Sequence, residues 1–368
     1  MMKSRNRKNL YVLYSFFSIS RVLVFCFLPS LAFSQTLGGN AAYNFLKLPT
    51  SPLLTAMGGT NVSYNPKDVS LAANNPALLS EELNSQISAS FNAFLGGIKT
   101  YALTGAYHSK ALNTTLGGHL YYMDYGSIRA TDAAGNVLGS FRPVDFVAQV
   151  SVAKKYLERW TYGASVKFIH SSYPPYSSSA LAVDIGLLYT DSARNFTAGF
   201  VAKNMGTQLK SFAGTTEDLP FDLEVGVSKR LRKAPLGFSF TAHHLHRLNL
   251  SYNDAAFNAD NGFSSATLAG KIFNHFILAA HVFLSQNLEA IVGYNHLQRQ
   301  ELSVPNSANG LAGFSAGVHV QFSKLRLQLA RSTYQRGVSY TQLGITVQLN
   351  KLGGSVGKKS FAIFRVHQ

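Results

Sequence analysis

Gly313-Phe314-Ser315-Ala316-Gly317-Val318-His319-Val320-Gln321-Phe322 decides the fold. Phe314, Ala316, Val318, Val320 and Phe322 alternate with Gly313, Ser315, Gly317, His319 and Gln321. Period two gives a strand one apolar and one polar face. The next stretches repeat it. Leu325, Leu327 and Leu329 alternate with Arg326, Gln328 and Ala330, and Leu343, Ile345, Val347 and Leu349 with Gln342, Gly344, Thr346 and Gln348. Upstream, Phe221, Leu223, Val225 and Val227 interleave with Asp222, Glu224, Gly226 and Ser228. Trp160, Tyr162, Ala164, Val166 and Phe168 interleave with Thr161, Gly163, Ser165 and Lys167.

Fourteen such segments run from Ser85 to Asn350. A soluble β-sandwich would show the same alternation. The connections separate the two. Ser109–Asn113, Tyr156–Arg159, Asp191–Asn195, Leu231–Pro235, Leu284–Asn287 and Phe322–Leu325 are short. The links between them, Tyr125–Val144, Ser171–Ser177, Met205–Leu219, Leu248–Lys271 and Gln298–Ala312, are longer. Long loops confined to one end are the habit of a transmembrane β-barrel, whose strands of about ten residues cross the bilayer at a tilt. The expected fold is therefore all-β, a 14-stranded antiparallel transmembrane barrel spanning residues 85–350.

The first 34 residues read as a signal peptide. Lys3, Arg5, Arg7 and Lys8 precede the largely apolar run Leu10–Leu28, and Ala32-Phe33-Ser34 fits a cleavage site. The only cysteine, Cys26, lies inside this leader, so the remaining chain has no thiol chemistry. Removing residues 1–34 removes five positive charges and no negative ones, which lowers the formal charge from +16 to +11. Contact with anionic lipid headgroups or lipopolysaccharide accounts for that charge. An exported barrel has little access to nucleic acid. No later segment has enough continuous apolar residues for a transmembrane helix. A charged content of 14% with 12% aromatics suits a lipid-facing barrel.

Residues 35–84 break the pattern. Pro49, Pro52, Gly58-Gly59 and Asn75-Pro76-Ala77 interrupt them. A fourteen-stranded lumen is too wide for its own side chains to fill. The segment is expected to be a plug, with both termini periplasmic and the long loops outside. Residues 351–368 are expected to form a periplasmic tail.

Little in the sequence points to catalysis, and no cofactor is expected. His243-His244-Leu245-His246 is the most metal-like cluster, but two imidazoles on one strand face make a poor zinc site. His244 and His246 are expected to face outward near a strand end. Asp222 and Glu224 are expected in the lumen, paired with basic residues such as Arg326 or Lys167, and Asp184 is expected in the lumen or beside a turn. Gly38-Gly39 and Gly117-Gly118 suggest only local backbone freedom. For partner binding the loop aromatics Tyr173, Tyr176, Phe257 and Phe263 are the candidates.

Ala56-Met57-Gly58-Gly59 followed by Asn75-Pro76-Ala77 resembles the hatch signature of the long-chain fatty-acid transporter superfamily, which are fourteen-stranded barrels with an N-terminal plug. Tyr43-Asn44-Phe45-Leu46-Lys47-Leu48-Pro49, Lys203-Asn204-Met205-Gly206 and His243-His244-Leu245-His246-Arg247 resemble the PorQ family of the type IX secretion system. That resemblance implies a non-enzymatic outer-membrane scaffold. Its partners would be PorZ, the sortase PorU and PorV, in a complex that attaches cargo to anionic lipopolysaccharide. The wider superfamily implies the alternative, a transporter of a hydrophobic small molecule.

Overall fold

The computed structural model describes residues 41–250, 268–302, 310–335 and 337–352. The leader, Phe257, Phe263 and almost all of the tail lie outside them.

The strands are β1 (Gln86–Ala93), β2 (Lys99–Ser109), β3 (Thr114–Asp124), β4 (Ile128–Thr131), β5 (Val137–Phe141), β6 (Val144–Tyr156), β7 (Trp160–Tyr173), β8 (Tyr176–Asp191) and β9 (Phe196–Lys210). They continue with β10 (Asp222–Arg230), β11 (Leu236–Ala242), β12 (Phe276–Phe283), β13 (Leu288–Asn295), β14 (Phe314–Gln321), β15 (Leu325–Gln335) and β16 (Val338–Gln348). Fourteen of them, all but β4 and β5, form one closed antiparallel barrel. Closure is made by β1 pairing with β16, from Gln86 opposite Gln348 to Ala93 opposite Thr341.

The side-chain distribution rules out a sandwich. Val150 is 68% exposed, Val166 55% and Leu343 51%, whereas Asp145 and Asp184 are 0% exposed and Gln342 1%. A soluble sheet buries its apolar face. Here the apolar face looks out and the polar face in, as a bilayer requires. Aromatic residues mark both edges of the outer belt. Phe91 and Tyr101 pack at 5.3 Å near the long-loop end, and Trp160 and Tyr189 at 4.9 Å near the short-turn end.

Two connections differ from the sequence reading. Ser171–Ser177 is a tight hairpin, not a longer loop. Tyr173 pairs with Tyr176, leaving only Pro174-Pro175 at the turn. The ladder needs no N–H there, so the prolines cost no hydrogen bond. Tyr125–Val144 carries a small hairpin of its own, β4 with β5.

Residues 41–83 run inside the barrel as short turns. Ser51 caps the helix Pro52–Ala56 by accepting from the Leu54 N–H, and Pro52 starts it. Pro suits that first position, where its missing N–H would be unpaired anyway. Asn75 caps the turn Pro76–Leu78 through the Ala77 N–H, and its amide reaches the Val62 carbonyl at 2.8 Å. Ala56, Met57 and Ala77 share one apolar cluster with Leu53, Leu54, Leu78 and Ile291. The two hatch-like motifs thus meet in space.

Glycines on the inner wall make room for this backbone. A Cβ at Gly199 would stand 2.1 Å from the Val62 carbonyl oxygen, and one at Gly293 2.5 Å from that of Ala56. Both contacts are shorter than any van der Waals approach. Gly117 does more than loosen the chain, since Leu79 sits 3.0 Å from where its Cβ would be.

Candidate functional site

The inner segment is tied to the wall by buried polar contacts. Asp68 accepts from Arg326 at 2.7 Å and from Gln328 at 2.5 Å. Burial alone would raise the Asp68 pKa, but the Arg326 guanidinium and the Ser70 N–H hold it below the ordinary carboxylate value. Nearby, hydrogen bonds form a ring that leaves the inner segment and returns to it. Ser63 bonds Ser228, Ser228 bonds Ser239, and Ser239 bonds the His281 imidazole, each at 2.8 Å. His281 bonds Glu289 at 2.8 Å, and the Tyr64 hydroxyl donates to Glu289 at 2.6 Å. Burial and the Glu289 charge push the Tyr64 hydroxyl well above its usual pKa, so it stays a donor.

The predicted acids find other partners than expected. Glu224 pairs with Lys203 at 2.8 Å, and Asp184 with Lys167 at 2.6 Å. Arg326 is occupied by Asp68, which leaves Asp222 to the histidines. The β9–β10 register explains this, because Lys203 stands opposite Asp222 and beside Glu224.

The histidine cluster also departs from its reading. β11 ends at Ala242, so His244 and His246 are not strand residues facing outward. The chain turns at His244, with φ +54°, and Asp222 accepts both its backbone N–H at 2.6 Å and its Nδ1 at 3.0 Å. His246 Nδ1 lies 3.8 Å from the same carboxylate. Burial lowers the His246 pKa to about 4, which leaves the ring neutral near neutral pH. Asp222, His244 and His246 are the one grouping among the described residues with donor atoms close enough for a metal ion.

Also at the long-loop end lies a cup of about 460 Å³ lined by Tyr43, Phe45, Tyr125, Tyr173, Tyr176 and Phe212, together with Asp145. Tyr173 and Tyr176 are strand-end residues here. Phe212 packs on Tyr43 at 6.3 Å and on Tyr173 at 5.6 Å. Tyr125 donates to Asp145 at 2.5 Å and Tyr173 at 2.8 Å, and Ser171 donates to its other oxygen. Burial and the bond to Asp145 push the Tyr125 hydroxyl far above its usual pKa. The inner segment closes the cup from below. Ala42 bonds the Asp218 carbonyl at 3.0 Å, and Phe45 stacks on Tyr121 at 6.2 Å. Beneath Phe45 is a second cavity of about 60 Å³ reaching His119, Lys167 and Lys203.

The sequence named Tyr173 and Tyr176, as loop aromatics, but not Asp145. It follows a twenty-residue link, and only the closed register sets it against Tyr125 and Ser171.

The chain is a fourteen-stranded barrel of the outer-membrane kind. No protein-family model matches the sequence, and no curated protein does. Among solved structures, a mutant of the TodX monoaromatic hydrocarbon channel is 15% identical with a TM-score of 0.49, covering 82% of this chain and 98% of that one. The CymD monoaromatic hydrocarbon channel is 14% identical at 0.47, with 83% and 97% covered. A FadL homologue from Pseudomonas aeruginosa is 13% identical at 0.45, with 81% and 98% covered. The likeness is one of barrel layout.

Proposed function

We propose that the chain is a closed outer-membrane scaffold that holds a surface protein at its long-loop mouth, with both termini on the periplasmic side. The observation that carries this reading is the fixing of the inner segment. Asp68, Tyr64 and Ser63 are bonded to the wall through buried groups, and Val62 and Ala56 lie in notches that only glycine leaves open. A segment held in this way is a poor moving hatch and a good support. The mouth above it presents aromatic side chains, the residues that dominate binding hot spots. The resemblance to the PorQ family supplies the expected partners: PorZ as the held protein, acting with PorU and PorV on cargo bound for lipopolysaccharide.

A second reading, uptake of a hydrophobic small molecule, draws on a different observation. The aromatic cup and the cavity beneath Phe45 share that residue in their linings. Deleting the gene and measuring both processes distinguishes the two. A scaffold's loss sends the held surface protein into the medium and leaves hydrocarbon uptake unchanged. Retention of every surface protein together with lost uptake would overturn the scaffold.

A further inference from the structure

Asp145 is the exception among the buried acids. Asp68 has Arg326, Asp124 has Arg142, Asp184 has Lys167, Asp191 has Arg159 and Glu224 has Lys203. Asp222 and Glu289 each contact two histidines. Asp145, 0% exposed, has no cation within ion-pair distance among the described residues. His170, on the adjoining strand, is bonded to Ser179 instead, at 2.9 Å.

Its three donors are hydroxyls, from Tyr125, Tyr173 and Ser171. The carboxyl oxygens accept from all three, and the Tyr173 hydroxyl also reaches the Tyr125 oxygen at 3.1 Å. The Tyr173 oxygen, and the lone pair of Tyr125 that Tyr173 does not take, remain as acceptors. The rings of Tyr43, Phe45, Tyr125, Tyr173, Tyr176 and Phe212 surround the space above. A buried carboxyl group with no cation beside it, below a ring of aromatic faces, is an environment suited to an organic cation, whose charge would favour the carboxylate form and which the ring quadrupoles attract.

We propose that the cup takes an alkylammonium group, the end of a lysine side chain on the held surface protein. The ammonium has three donors for the Tyr125 and Tyr173 oxygens, and the Phe45 and Phe212 rings take the aliphatic stem. The cup's 460 Å³ is ample for such a side chain. Naming lysine as the source rests on the scaffold reading; the amine chemistry rests on the cup alone.

The test uses the full barrel purified in mild detergent and two fluorescent probes, dansylcadaverine and its N-acetylated, neutral form. The cationic probe should bind about tenfold or more tightly than the neutral one. Pentylammonium should displace it and pentanol should not. Asp145→Asn should remove the preference while leaving the neutral probe's weak binding unchanged. Should that variant fail to fold, Tyr125→Phe keeps the ring, removes one acceptor and should weaken the cationic probe alone. Equal binding of the two probes to the unaltered protein would overturn the proposal without any variant. In cells, a held protein released by Asp145→Asn supports lysine as the source. A held protein that stays attached to cells carrying Asp145→Asn, when the unaltered protein shows the probe preference and the variant has lost it, overturns lysine as the source and leaves a small free amine as the occupant.

Discussion

Arg326 on β15 reaches across the lumen side of the wall to the Asp68 carboxylate, 2.7 Å away and 258 residues earlier in the chain. Both side chains are largely or wholly buried, at 11% and 0% exposure. Removing one member of such a pair strands the other charge and costs about 3–5 kcal/mol. Asp68→Ala should therefore lower the temperature at which the barrel loses its compact gel mobility. Pairing it with Arg326→Met, which removes the stranded charge, should restore much of the loss. An unshifted transition in Asp68→Ala would mean that the pair does not hold the inner segment.

The same carboxylate gives a pH dependence. Its pKa is lowered on folding from the ordinary 3.8. The unfolded chain therefore binds the proton first, and the stabilisation is complete above that value and lost as pH falls below it. Thermal midpoints of the unaltered protein and of Asp68→Asn should differ most at neutral pH and converge below about pH 4. A constant gap down to strongly acid pH would contradict this assignment.

Gly199→Val should displace the inner segment, because its Cβ alone would meet the Val62 carbonyl at 2.1 Å. The polar inner faces would then border a water-filled channel. In planar bilayers the unaltered protein should show little conductance and the variant large, noisy openings. Large steady currents from the unaltered protein would remove the sealed scaffold.

Orientation can be read with single cysteines. Position 134 lies in the exposed β4–β5 tip and position 193 in the short turn after β8. A membrane-impermeant maleimide on intact cells should label Ala134→Cys and spare Ala193→Cys. The reverse pattern would invert the barrel.

On the proposed scaffold function, Tyr176→Ser with Phe212→Ser should release the surface protein it holds while heat-modifiable mobility persists. Tyr176 makes its strand contacts through the backbone, and Phe212 lies beyond β9. Tyr173 is a worse choice for this purpose, because its hydroxyl is bonded to Asp145. Continued attachment of the held protein in the double variant would exclude the cup from docking.

The wall was legible in the sequence because each strand separates two unlike environments. Val318 and Leu343 face the bilayer side while His319 and Gln342 face the lumen, so every second residue records its surroundings. Loop lengths added the polarity of the two ends. The inner contacts were illegible for the opposite reason. Gly199 and Gly293 look like weak strand residues until the backbone pressed against them is seen. The pairings of Glu224 with Lys203 and Asp68 with Arg326 depend on register and closure, which alternation leaves open. His244 and His246 misled because the strand pattern appeared to continue through them. Asp222, as acceptor of the His244 N–H, is what turns the chain there.

The contacts of residues 67–69 lie at the seam where the barrel closes. The Lys67 carbonyl accepts from Gln86 on β1 and from Arg326 on β15, and the Val69 N–H donates to Gln86. Asp68 also accepts from Thr346 on β16. The first strand and the last two thus share one short piece of the inner segment. A nascent barrel still lacking its C-terminal strands would have only half of that clasp. Insertion of the final hairpin therefore does two things at once: it zips the cylinder shut and seats its own stopper. A chain halted before Leu325 would be left both unsealed and unlatched, a form that quality control in the envelope could tell from the finished protein.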